Sequence, residues 1–271
     1  MSAAVRELLQ ETYGHAPDEE ELEWWFERNP VAPSIVAVAA GEGATTLSLF
    51  RVLLDGEERL AAFVVHAVTA PAARGRGVFS RLQLENEERA AAAGASVVLG
   101  FTTEQATHVL LGRHGWEELA RPRVWVRPRV LRTAHALPEL PPFSELDAER
   151  LSTGTTRLVK DAAYLEWRYR QSPRRYGRVD GRRGEVAVVG IGRRGGAVCE
   201  LAGGVRTLRR AARAIDSSLV FGLPGAERRG TFLKAGFVPS PWRLHLIGKR
   251  LDPSAPLPHA WRLELGDLDF F

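Results

Sequence analysis

The segment "DAAYLEWRYRQSP", Asp161–Pro173, repeats one written 143 residues earlier, "DEEELEWWFERNP", Asp18–Pro30. Asp, Leu, Glu, Trp and Pro recur at the same offsets, and Tyr169 stands where Phe26 stood. Each copy opens on an aspartate, a side chain suited to cap the free N–H groups of a helix start. Apolar residues follow at helical spacing. Leu22, Trp25 and Phe26 share one face in the first copy, as do Leu165, Tyr169 and the stem of Arg168 in the second. Pro30 and Pro173 end both helices. Packing alone accounts for Trp24 and Trp167. A helix repeated with one cap, one face and one stop points to a repeated domain.

The two copies extend outward from this helix. In the first, "SIVAVAA", "TTLSLFRVLL" and "RLAAFVVHAVTA" read as strands, the last two separated by the turn "DGEE". The glycine segment "PAARGRGVFSRL", Pro71–Leu82, opens a long helix that Gly94 ends. "ASVVLGF" is a buried strand, "TTEQATHVLLGRHGW" a short helix and "RVWVRPRVL" a last strand. The second copy gives strands "EVAVVGIG" and "AVCELAG", helix "VRTLRRAARAI", strand "SSLVFGL" and helix "AERRGTFLKAGF". "WRLHLIGKRL" and "WRLELGDLDFF" read as its closing strands. Gly115-Trp116 recurs as Gly236-Phe237 at an offset of 121, so the second copy is 22 residues shorter in between. The loss is expected in the hairpin and the glycine loop. Pro138, Pro141 and Pro142 mark residues 131–150 as a stiff connector. The expected architecture is α/β with mixed sheets, residues 1–130 forming one domain and 151–271 its degenerate counterpart.

Composition fits this reading. A chain of 271 residues, 45% hydrophobic and 26% charged, suits two ordinary globular domains. It has no run of 18 apolar residues, and its N-terminus lacks the pattern of a secretory signal, so a cytoplasmic protein is expected. Cys199 is the only cysteine, which excludes an internal disulfide and multi-cysteine zinc sites; a buried structural thiol is expected, and no metal. Net charge is +4, and the only lysines are Lys160, Lys234 and Lys249. The arginines cluster locally in "ARGRGVFSR", "RPRVWVRPR" and "SPRRYGRVDGRR". A nucleic-acid binder calls for a continuous basic stripe with interleaved aromatics, which is missing here.

The glycine segment carries the chemistry. Gly75 and Gly77 let backbone approach a ligand, and the N–H groups of the turn and helix start converge where the helix dipole favours an anion. Arg74 and Arg76 add positive charge. A phosphate or pyrophosphate is the expected ligand. The Gly-Lys-Ser/Thr of a nucleotide-triphosphate loop is absent, and so is a first-turn dinucleotide fingerprint.

These residues resemble the GCN5-related N-acetyltransferase (GNAT) superfamily. Its cofactor motif, Q/R-x-x-G-x-G/A, maps onto Ala72-Ala73-Arg74-Gly75-Arg76-Gly77, with Gly115-Trp116 as the Gly-aromatic pair that follows the next helix. The whole chain looks like a tandem arrangement of these domains. The resemblance implies an acetyl-CoA site built from Val68, Thr69, Arg74, Gly75, Arg76, Gly77, Val78, Phe79 and Ser80. It also implies direct acetyl transfer to a primary amine of a small molecule or protein. The second half is expected to shape the acceptor site or an interface, such as that of a homodimer. Three positions depart from the family: Ala72 stands at the motif's Gln or Arg, Leu111 where a thiol-protonating Tyr is usual, and Ala61 where a Glu base is often found. Candidates for the missing proton chemistry are His66, the one titratable side chain inside "AAFVVHAV", then His108, and the chain-terminal carboxylate of Phe271 with Asp267 and Asp269 beside it. Glu104 and Gln105 are candidates for orienting the substrate.

Overall fold

The computed structural model describes residues 2–102, 104–129, 136–192 and 195–268. Two units emerge. Unit 1 is Met1–Ala120 with His245–Ala260; unit 2 is Arg121–Leu244 with Trp261–Phe271. The contiguous division at 130 and 151 therefore gives way to two units that each borrow a strand from the other half.

Unit 1 begins with α1 (Ser2–Tyr13) and α2 (Glu19–Glu27). β1 (Ile35–Ala39), β2 (Gly43–Leu54) and β3 (Glu57–Thr69) follow. Then come α3 (Val78–Ala92), β4 (Val97–Phe101), α4 (Glu104–Arg113) and β5 (Glu117–Ala120). Unit 2 holds β6 (Arg123–Pro128), α5 (Glu145–Leu151), the two-residue β7 (Arg157–Leu158) and α6 (Ala162–Leu165), which continues through a π-turn to Arg170. β8 (Arg175–Asp180), β9 (Val186–Gly192), β10 (Gly195–Ala202), α7 (Val205–Ala214) and β11 (Leu219–Gly222) follow. α8 (Arg229–Lys234) and β12 (Val238–Arg243) come next, and β13 (Leu246–Arg250) returns to unit 1.

The two sheets share one plan. Strands run β1-β2-β3-β4-β13-β5 in unit 1 and β8-β9-β10-β11-β6-β12 in unit 2. In each, an antiparallel meander is followed by one parallel pair joined through a helix, β3-α3-β4 or β10-α7-β11. The strand between the parallel pair and the last strand comes from the opposite half of the sequence. β13 pairs with β4 from Leu246↔Phe101 to Arg250↔Val97, and on its other edge with β5. β6 pairs with β11 and β12. Both inserted strands are thus hydrogen-bonded on both edges, which is why the units cross the sequence boundary.

The repeated helix behaves as its sequence predicts. Trp24, Phe26, Trp167 and Tyr169 are buried. Asp161 accepts a bond from the Tyr164 amide at 2.8 Å, whereas the Asp18 side chain makes no capping bond. The turn before β3 is Asp55-Gly56, both at positive φ, the conformation a two-residue hairpin favours.

Three expectations change. The second copy keeps its hairpin: β9 and β10 have 7 and 8 residues against 12 and 13 in β2 and β3, and α7 has 10 against 15 in α3. The shortening is spread over these elements as well as the loop, which is only Gly203-Gly204 before α7. Part of the expected connector is helical, since Ser144 and Asp147 form a capping box that starts α5. Finally, Trp261–Glu264 is irregular, and Leu265–Asp267 forms a 3₁₀ turn rather than a strand. No helix among the described residues is long and apolar enough to cross a membrane.

Candidate active site

β3 and β4 run together for four residue pairs, Ala61↔Val97 to Val64↔Gly100. They then part. On its other side β3 continues to pair with β2 as far as Thr69↔Gly43, with Val65 as an extra residue between His66↔Thr46 and Val64↔Leu47. A bulge bends its strand and increases the local twist. Beyond Val64 no further pair joins β3 to β4 among the described residues, which leaves a gap between the two strands.

The glycine loop closes one end of that gap. A 3₁₀ turn at Pro71–Ala73 leads into Arg74-Gly75-Arg76-Gly77 and the start of α3. Gly75 and Gly77 take φ of 75° and 74°, and a Cβ on either would meet nothing within 4 Å. Their role is the left-handed backbone rather than close packing. Within α3 the first intrahelical bond runs from the Arg81 amide to Gly77 O at 3.0 Å, so the amides of Val78, Phe79 and Ser80 are free for a ligand. The helix dipole adds about 0.3–1 kcal/mol of preference for an anion there.

The side chains divide the work. Val78 is buried, and Phe79 packs against the unit 1 core, which leaves only their amides for binding. Ser80 Oγ lies 2.9 Å from His114 Nε2, a neighbour the sequence gave no reason to single out. Arg76 pairs with Glu42 at 3.0 Å, and Arg81 approaches the same carboxylate at 3.6 Å. An arriving phosphate therefore competes with Glu42 for Arg76. Arg74 is exposed, its Nε donating to Thr69 O at 3.4 Å. Trp116, of the Gly-Trp pair, is buried and donates to Glu87 Oε1 of α3 at 3.0 Å, while Lys249 of β13 pairs with Glu87 Oε2 at 2.7 Å. These bonds hold α3 against the sheet.

Of the proton-handling candidates, His66 lies on β3 within this stretch. It is half-buried just past the bulge, with its ring 5.7 Å from that of Phe26 on α2. His108 is exposed on α4. Leu111 packs into the core and Ala61 is fully buried, so neither position offers a proton donor or acceptor. The side chains of Glu104 and Gln105 lie outside the described residues, as do Asp269 and Phe271.

Asp267 is described, and it is spent inside unit 2. Its Oδ1 lies 2.7 Å from Lys160 Nζ, which also donates to both oxygens of Glu200 at 2.8 Å. Tyr169 donates to Glu200 Oε1 at 2.6 Å. Arg168 donates to the carbonyls of Gly266 and Leu268, and to Tyr176 Oη. A Cβ on Gly266 would collide with the Tyr169 hydroxyl. The tail is thus packed onto β10 where unit 1 has its gap. Burial raises the Glu200 carboxyl to about 7, against the pull of Lys160. Burial opposes the Lys160 charge, but Asp267 and Glu200 outweigh it and raise the pKa. Burial also pushes the Cys199 thiol up to about 12, consistent with an inert residue.

Residues 2–119 match the family model described as an acetyltransferase (GNAT) domain. Among curated proteins, none matches the chain by sequence. In fold, the chain is similar to a GCN5-related N-acetyltransferase from Kribbella flavida, with a TM-score of 0.61 and 16% identity over 92% of this chain and 68% of that one. It is also similar to one from Anabaena variabilis, with a TM-score of 0.60 and 12% identity over 91% and 69%. A conserved protein of Enterococcus faecalis aligns with a TM-score of 0.61 and 12% identity over 93% and 70%. The family match thus spans residues 2–119, and over nine-tenths of its length the chain shares the fold of these structures.

Proposed function

We propose that unit 1 binds acetyl-CoA, or another short acyl-CoA, and that the protein transfers the acyl group to a primary amine of a small molecule or protein. The carrying observation is the parting of β3 from β4 beyond Val64↔Gly100, directly beside a loop with two left-handed glycines and a free helix start. The residues fit the group. The amides of Gly75 to Ser80 would take the pyrophosphate, and the open edge at Val68 and Thr69 would take the amide-bearing arm. The cofactor supplies a thioester whose acyl carbon accepts the amine. In this reading His66 takes the proton the amine loses as the C–N bond forms and the C–S bond breaks. With Leu111 in the core, the departing sulfur draws its proton from solvent rather than from a side chain at that position.

The test is titration of acetyl-CoA and free CoA into the wild type and Gly75→Asp. Aspartate tolerates the left-handed region, and space for it exists, so the variant should fold. Micromolar binding lost in the variant supports the cofactor site; no binding to the wild type overturns it. Thiol release with a panel of amines then tests transfer. Leu111 favours a second reading, a CoA sensor without turnover, which would show binding but no thiol release with any acceptor.

A further inference from the structure

Arg127 and Lys249 occupy the same register in the two sheets. Lys249 lies opposite Val98 of β4, and Arg127 opposite Val220 of β11. β4 and β11 are the strands parallel to β3 and β10, and "VVLGF" and "LVFGL" align Gly100 with Gly222. Their surroundings differ in sign. Lys249 reaches the buried Glu87 of α3 at 2.7 Å. In unit 2 the corresponding helix, "VRTLRRAARA", contains no acidic residue and carries Arg209 and Arg213.

Arg127 Nη1 is shielded from solvent and has no hydrogen-bond partner among the described residues. Burial, then Arg213, Arg129 and Arg209, lower its pKa, and no carboxylate acts in the other direction. Arg129 Nη1 donates to the carbonyls of Ala212 and Ile215 at the end of α7, and Arg209 Nη2 to Lys234 O. Those bonds fix the guanidinium groups without neutralising them. Arg209 and Arg213 are exposed, so the cluster is reachable from solvent.

We propose that Arg127, Arg209 and Arg213 form a phosphate-binding site in unit 2 that takes a small phosphorylated ligand. A phosphate dianion supplies the acceptor Nη1 lacks, and several guanidinium groups bind its oxygens by charge-assisted bonds. The cluster is local rather than a continuous basic stripe, which favours a single phosphate over a nucleic-acid strand. One of its arginines, Arg127, comes from "RPRVWVRPR", a stretch the cofactor loop does not use. The proposal stands independently of acyl-CoA binding.

The experiment uses full-length Gly75→Asp protein, so that the cofactor loop cannot answer for this site. Thermal unfolding and calorimetric titration are followed with inorganic phosphate and with glycerol 3-phosphate at matched ionic strength. Phosphate should raise the Tm by a few degrees, and Arg127→Met should weaken binding by about tenfold or more. Tighter binding of the monoester would identify an organic ligand; equal binding would identify free phosphate. Arg213→Glu should supply the missing carboxylate, raise the Tm without ligand and abolish the phosphate response. Equal responses with and without Arg127 overturn the proposal. So does a lack of response to either phosphate, or binding confined to a single-stranded oligonucleotide.

Discussion

His66 and Glu200 stand at the same place in two copies of one sheet. Each directly follows the bulged residue, Val65 or Cys199, of the strand that runs parallel to its neighbour. Each meets the aromatic residue of the repeated helix: Phe26 lies against the His66 ring, and Tyr169 bonds to the Glu200 carboxylate. The two places are filled differently. Around Glu200, Lys160 and the 3₁₀ turn at Leu265–Asp267 fill the place with a buried ion cluster. Around His66, β3 has already parted from β4 and the glycine loop follows.

The position of His66 predicts its effect on turnover. His66→Gln should leave acetyl-CoA affinity within about twofold and lower kcat by roughly 10²-fold, the lower end expected for a lost general base. The acid limb of the rate profile should disappear with it. An unchanged kcat and pH profile would reduce His66 to a packing residue against Phe26.

Lys160 neutralises two buried carboxylates, so its loss should be severe. Lys160→Met leaves Glu200 and Asp267 without their cation, which costs about 3–5 kcal/mol in comparable buried pairs. Adding Glu200→Gln and Asp267→Asn should recover much of that, because no buried charge is then stranded. Chemical denaturation of the single and triple variants decides the matter. Equal stabilities would mean that solvent reaches the cluster.

The repeat was legible because a 13-residue segment with an aspartate, an apolar face and a proline at the same offsets is a dense local signal. The glycine loop was legible for the same reason, its chemistry being written in consecutive residues. The strand exchange was not. "RVWVRPRVL" contains β6, and "WRLHLIGKRL" holds the end of β12, a break at Leu244-His245 and then β13, yet no local pattern says which sheet a strand joins. That choice is made by long-range pairing, Arg127 with Val220 and Lys249 with Val98. The buried cluster was hidden likewise, since Lys160, Glu200 and Asp267 are far apart in sequence and no local pattern joins them. α1 passed unread because it has no proline or glycine marking its start.

Cys199 offers a probe of unit 2. It is 1% exposed, and burial raises its pKa to about 12, so the thiolate is scarce at neutral pH. A thiol reagent should label the native protein no faster than the unit opens. Lys160→Met should accelerate labelling if the cluster holds β10 in place. Immediate labelling of the wild type would contradict the packing around β10.

Asp147 and Arg178 predict the acid limb of stability. Both guanidinium nitrogens of Arg178 reach the Asp147 carboxylate, at 2.8 and 2.9 Å, and the capping bonds from Ser144 add to them. Burial works against the charge, but the Arg178 bond and the Ser144 bonds outweigh it, and the carboxyl falls to about 2. A depressed folded-state pKa means that its stabilisation is complete above the unfolded value near 3.8 and fades as pH falls toward 2. The shift corresponds to an order of 2 kcal/mol. Asp147→Asn should remove that amount at neutral pH and flatten the loss of stability between about pH 4 and 2. Denaturant melts of the two proteins across that range check it. Parallel pH curves for wild type and variant would show that another carboxylate governs acid unfolding.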